Sequence, residues 1–128
     1  MNGLFVIVVA AVVLVIGYIG YGRWLAKSWG ADEDALTPAV RMEDGHDFAP
    51  ASRFTVFAHQ FSSICGAGPV TGTIVAMMFG WLPVLLWVLV GGIFFGAVHD
   101  FGALYASVKN NGKSLGQLIE KYIGRTGR

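Results

Sequence analysis

Residues 57–73 read FAHQFSSICGAGPVTGT, and this stretch decides the fold. It sets a histidine, a glutamine, two serines and a Gly-Ala-Gly-Pro break inside a segment that is otherwise apolar. Polar side chains and bare backbone are costly in hydrocarbon unless protein buries them or they line a cavity. A helix broken at mid-depth is a recurrent way for transporters to build a substrate or ion site. The stretch therefore points to membrane transport.

The flanks agree. Hydrophobic residues make up 55% of the chain and charged residues 13%, half of what a soluble domain carries. The runs Leu4–Tyr21 and Trp81–Val98 contain no charge. Each is about 18 residues long, or roughly 27 Å of helix, close to the thickness of a hydrocarbon core. The first run does not read as a secretory signal: Met1-Asn2-Gly3 has no basic side chain, and Arg23 and Trp24 follow it in place of a cleavage site. The expected fold is an all-α membrane protein with three transmembrane helices over about 4–21, 54–79 and 81–108. The second is broken at Gly66–Pro69. A cytoplasmic loop spans 22–53, and a cytoplasmic amphipathic helix spans 114–124.

Charge sets the orientation. The nine Lys and Arg residues fall in two places, between the first and second spans and after the third. The N-terminal tip and the Gly80–Pro83 turn have none. With three crossings both basic regions share one side, which the positive-inside rule makes cytoplasmic. The N-terminus is then expected outside and the C-terminus inside.

In the loop, Thr37-Pro38 and Asp44-Gly45 are turn signals. Glu43-Asp44-Gly45-His46-Asp47 lacks the alternating oxygen ligands of a calcium loop, so a turn is expected there. Asn110-Asn111-Gly112 signals a helix C-terminus, and Ser114 with Gln117 makes a capping box for a new helix. Leu115, Leu118, Ile119, Tyr122 and Ile123 then share one apolar face, with Lys121 and Arg125 on the other. Such a helix suits anionic lipid or, equally, a protein surface.

On the second span His59, Ser62, Ser63, Gly66, Val70 and Thr73 recur at helical spacing as a polar or small stripe. Serines and glycines there serve helix–helix contact or a site alike, whereas an ionisable His59 favours an ion or substrate path. Pro69 suits the first turn of a second half-helix. If that half begins near Val70, the N–H groups of Val70, Thr71 and Gly72 point into the membrane centre and favour an anion. The carbonyls of Ile64, Cys65 and Gly66 could hold a cation; a simple proline kink would need no ligand. Cys65 reads as small apolar filler. On the third span Gly92, Gly96 and Asp100 are spaced by four, suggesting a close-packing face that carries an acid beside His99. Those two serve either coupling and gating or simply the hydrated end of the apolar run. No nucleophile–base–orienter set or metal-ligand spacing appears, so neither enzyme, metal, cofactor nor nucleic-acid partner is expected.

Phe57–Pro69 resembles the FGHHFxxIAGAGP signature of the carbon starvation protein A family. Thr37-Pro38-Ala39, Asp44-Gly45-His46-Asp47-Phe48-Ala49-Pro50, Gly96-Ala97-Val98-His99-Asp100-Phe101 and Asn111-Gly112-Lys113-Ser114-Leu115-Gly116 follow the same family in order and spacing. The resemblance implies a proton-coupled bacterial inner-membrane transporter of peptides or small carboxylates such as pyruvate, used in starvation. It also implies kinship with amino acid–polyamine–organocation transporters, which have two inverted five-helix repeats. The broken span would be the first core helix, preceded by one extra helix. On this reading the binding residues are His59, Gln60, Ser62, Ser63, Gly66, Ala67, Gly68, Pro69, Val70, Thr71 and Gly72, with His99 and Asp100 in coupling or gating.

Three residues depart from the pattern. Gln60 replaces a second histidine and cannot titrate, Ala58 replaces a glycine, and Thr73 replaces a proline. Family members are several times longer. The expectation is an N-terminal part of a transporter that works with further helices from the same gene or another chain. The alternatives are a small non-transporting membrane subunit that binds a partner, or a non-functional truncation.

Overall fold

The computed structural model describes residues 2–127; Met1 and Arg128, the latter one of the basic tail residues, lie outside the described residues. The regular elements of the described residues are helices: α1 Gly3–Trp29, α2 Pro38–Arg41, α3 Arg53–Ile64, α4 Ala67–Phe79, α5 Trp81–Lys109 and α6 Leu115–Ile123. Helices α1 and α5 are each long and apolar enough to cross a membrane, and α3 with α4 passes the same test as one broken span. The chain divides into two compact units, residues 1–31 with 64–99, and residues 32–63 with 100–128.

In the first unit α1 runs further than the expected 4–21. Arg23 and Lys27 end the apolar run but not the helix, because both favour helical backbone and can carry their charges out to the interface. The helix stops at Gly30, which takes a left-handed conformation (φ 68°). There the Gly30 N–H donates to the Lys27 carbonyl and the Ala31 N–H to the Ala26 carbonyl, the Schellman pattern. The loop therefore begins near residue 30.

Both long helices contain a glycine-rich π turn, Tyr18–Gly22 in α1 and Gly92–Gly96 in α5. Around these turns the two helices touch. Tyr21 packs on Phe94 with ring centroids 4.8 Å apart and stacks on Trp24 at 5.6 Å. A Cβ added at Gly17 would lie 2.9 Å from Ile93 Cδ1, so the bare glycine is where the Ile93 side chain seats. At its two glycines the expected close-packing face meets no other helix among the described residues. Gly92 has nothing within 4 Å of an added Cβ, and Gly96 would meet only the Gly91 carbonyl of its own helix. Gly17→Leu should lower the thermal stability of the detergent-solubilised chain by about 1–3 kcal/mol of overpacking. Ile93→Ala in the same chain should restore most of it, whereas an unchanged melting temperature in Gly17→Leu would disprove the contact.

The second unit is built on turns and caps. Thr37-Pro38 opens the one-turn helix α2, with Pro38 at its first position, where the missing N–H is not needed. The Ser52 hydroxyl accepts the Thr55 N–H at 3.1 Å and caps α3. Asn111 (φ 62°) and Gly112 (φ 74°) both take the left-handed conformation, and the Gly112 N–H returns to the Ser107 carbonyl. Arg41 donates to the Asn111 side chain, and Phe48 lies where a Cβ on Gly112 would project, at 3.6 Å. The capping box of Ser114 and Gln117 is complete.

Asp44 forms the turn expected at Asp44-Gly45. Its carboxylate accepts the N–H groups of Phe48 at 2.8 Å and His46 at 2.9 Å, with Gly45 at φ 73°. These donors, Phe48 foremost, hold the Asp44 carboxyl below the usual carboxylate range. A depressed folded pKa means that the turn gains its full support above the unfolded value of about 3.9 and loses it as pH falls through the lower folded value. Asp44→Ala should therefore raise amide exchange at His46 and Phe48 at neutral pH, after correction for intrinsic rates. The parent chain should show that rise only in acid. Equal protection in both proteins near neutrality would contradict this account of the turn.

Candidate substrate-binding region

The break in the second span falls at Cys65–Gly66, one step earlier than Gly66–Pro69. Gly66 is extended (φ −67°, ψ 178°) and caps α4, which is helical from Ala67. Pro69 is thus inside the first turn, where a proline costs least because N–H groups there have no intrahelical partner. The unbonded N–H groups at this helix start belong to Gly66, Ala67 and Gly68. Thr71 and Gly72 fall in the second turn, where backbone N–H groups bond to carbonyls four residues earlier. The anion-favouring end therefore lies earlier than the expected Val70, Thr71 and Gly72. Cys65 sits in the break itself as an exposed thiol, not as filler in a helix.

Helix α4 packs against the first half of α5, and a groove of about 380 Å³ lies between them. Gly68, Pro69, Gly72 and Thr73 form one wall; Trp87, Gly91 and Phe95 contribute to the other. Trp87 and Phe95 stack at 6.4 Å. Gly68 and Gly72 have nothing within 4 Å of an added Cβ, so bare backbone borders open space. The hydroxyls of α4 face their own helix: Thr71 Oγ1 donates to the Ala67 carbonyl at 2.8 Å, and Thr73 Oγ1 to the Pro69 carbonyl at 2.6 Å. The groove is consequently apolar along its length, with polar backbone at the Gly68 end. Its size falls within the range typical of small-molecule sites, which are mostly apolar with a few convergent polar groups.

Of the expected binding residues, Gly68, Pro69 and Gly72 line this groove, while Ala67, Val70 and Thr71 stand on the same helix outside the lining. His59, Gln60, Ser62 and Ser63 stand on α3. His59, Ser62 and Ser63 are exposed and Gln60 is half-buried. The Ser63 hydroxyl donates to the His59 carbonyl at 2.9 Å. Farther along α5, His99 is exposed and Asp100 half-buried. Among the described residues no group of three or more His, Cys, Asp or Glu side chains could hold a metal ion. Sequence reasoning missed Trp87 and Phe95. Both lie in a helix apolar on every side, where nothing distinguishes a groove wall from a lipid face.

A family model described as "Carbon starvation protein CstA" matches residues 2–128. The chain is 42% identical over 125 residues to the peptide transporter CstA of Campylobacter jejuni, covering 97% of this chain and 18% of that protein. It is 40% identical to the peptide transporter CstA of Bacillus subtilis, covering 97% of this chain and 21% of the relative. It is 38% identical to the pyruvate/proton symporter BtsT of Escherichia coli, covering 96% and 17%. The chain spans about a fifth of the length of these curated relatives. No solved structure gives a significant match.

Proposed function

The chain belongs to the carbon starvation protein CstA family, and from that premise we propose that it is the N-terminal part of a secondary transporter. This transporter imports peptides or small carboxylates such as pyruvate, coupled to protons, across the bacterial inner membrane. Relatives named as a peptide transporter and as a pyruvate/proton symporter support both substrate classes and the coupling ion. The charge pattern supports an N-terminus outside and a cytoplasmic C-terminus. A kinship with amino acid–polyamine–organocation cores, and completion of the site by further helices, belong to the same proposal.

One observation carries the reading: Gly68, in the first turn of α4 where backbone N–H groups have no intrahelical partner, lines an apolar groove walled by Trp87 and Phe95. A substrate with a carboxylate head and a small apolar body matches both ends of that groove. Thr71 and Val70 then support the half-helix from behind. His59, with Gln60, Ser62 and Ser63 beside it on α3, supplies the titratable group of the broken span. His99 and Asp100 act in coupling or gating at the end of α5's apolar run. The test is uptake of labelled pyruvate and of a labelled dipeptide by the intact transporter carrying His59→Ala. Loss of uptake at normal membrane abundance is expected, and unchanged uptake would sink the assignment.

A further inference from the structure

Helix α6 is absorbed by none of this. Its apolar stripe is covered only in part: Leu118 is 5% exposed, but Leu115 is 51%, Tyr122 68% and Ile123 74% exposed. The helix follows closely on α5, which is long and apolar enough to cross a membrane. The junction between them is defined. Asn110 donates its side-chain amide to the Ala106 carbonyl at 2.8 Å, and its Oδ1 accepts from Lys121 Nζ at 2.7 Å and Tyr122 OH at 2.9 Å. One side chain therefore caps α5 and ties α6 to that cap. The exposed stripe is held in a fixed relation to the end of the span.

The charge near the stripe is mostly positive. Lys109, Lys113, Lys121 and Arg125 flank it in sequence, and Glu120, the one acid of this segment, is bridged by Arg125 at 3.5 Å. We infer that α6 is an interfacial helix that seats Leu115, Tyr122 and Ile123 into an anionic lipid surface beside the end of α5. The flanking cations complement anionic headgroups, and the apolar side chains reach the acyl boundary. Leu118 stays within the protein, and Asn110 sets which face is offered.

The full chain in a Cys65→Ser background, labelled with an environment-sensitive fluorophore at Ile123→Cys or Leu115→Cys, tests this, with Glu120→Cys on the opposite face as control. In vesicles of equal parts phosphatidylcholine and phosphatidylglycerol, both stripe probes should shift to the blue and be quenched by brominated lipid. The Glu120→Cys probe should stay open to iodide. Lys113→Gln and Arg125→Gln should each weaken the seating by about fivefold, and high salt should weaken it further. Agreement between the two stripe positions guards against local unfolding at either one. Iodide access at both stripe positions in anionic vesicles would overturn the proposal. Burial that is equal in neutral detergent and neutral vesicles would also overturn it and assign the face to protein packing.

Discussion

Gly72→Leu in the intact transporter should abolish uptake while leaving its abundance in the membrane unchanged or higher. Gly72 lies within α4 and lines the groove, and an added Cβ meets nothing within 4 Å. Replacing a helix-interior glycine with leucine favours the helix by roughly 0.5–1 kcal/mol. The larger side chain must then occupy the space in front of Trp87 and Phe95. Stability and transport are thus expected to move in opposite directions, which separates a blocked path from a damaged fold. Gly72→Ala, which adds only the Cβ, should keep most of the uptake. The measurement is initial uptake of labelled substrate, normalised to transporter abundance by immunoblot. Normal uptake in Gly72→Leu would show that substrate does not use this groove. Loss of the protein itself would show that another helix packs there.

The parts of this fold legible in the sequence are those that a local physical rule determines. The left-handed Asn111 and Gly112, the capping box at Ser114 and the Asx turn at Asp44 depend on a few neighbouring residues, and each was expected from them. The two long apolar helices were equally plain. Boundaries set by competition between rules were less legible. Arg23 marks where the apolar run ends, yet helix propensity carries α1 on to Trp29. Pro69 marks a helix start, yet its tolerance extends over the whole first turn, and Gly66 takes the cap instead. Contacts between helices were least legible. Gly17 and Gly92 are alike in sequence, and only the approach of Ile93 distinguishes the first.

The same limit governs the candidate site. Its polar residues were visible because lipid makes them conspicuous. Its apolar wall was not, because Trp87 and Phe95 resemble every other lipid-facing side chain on α5. A transport groove in a membrane protein is thus half concealed in any sequence: the half that costs energy to bury can be seen, and the half that does not is hidden. The free N–H groups at Gly66, Ala67 and Gly68 carry no side-chain signal at all. They follow only from where the helix begins, and a shift of a few residues reassigns them.

His59→Ala should lower proton-driven uptake by about tenfold or more, and His59→Gln should separate the reasons why. Gln60 has no ionisable group, and His59 is the one histidine of α3 and α4. The Ser63 hydroxyl donates to the His59 carbonyl, so its proton is already engaged with the backbone. If His59 carries the coupled proton, glutamine keeps the size and hydrogen-bonding capacity but loses the charge. Uptake against a gradient should then fail, while downhill exchange of labelled for unlabelled substrate persists. If His59 only hydrogen-bonds substrate, glutamine should restore both activities and alanine neither, at the cost of about 1.5–3 kcal/mol for a hydrogen bond to a charged group. Proteoliposomes with an imposed pH gradient, compared with equilibrium exchange in its absence, distinguish the two. Full gradient-driven uptake in His59→Ala would remove His59 from the mechanism. Retention of both activities in His59→Gln, with loss of both in His59→Ala, would place it at the substrate and leave the proton to another part of the transporter.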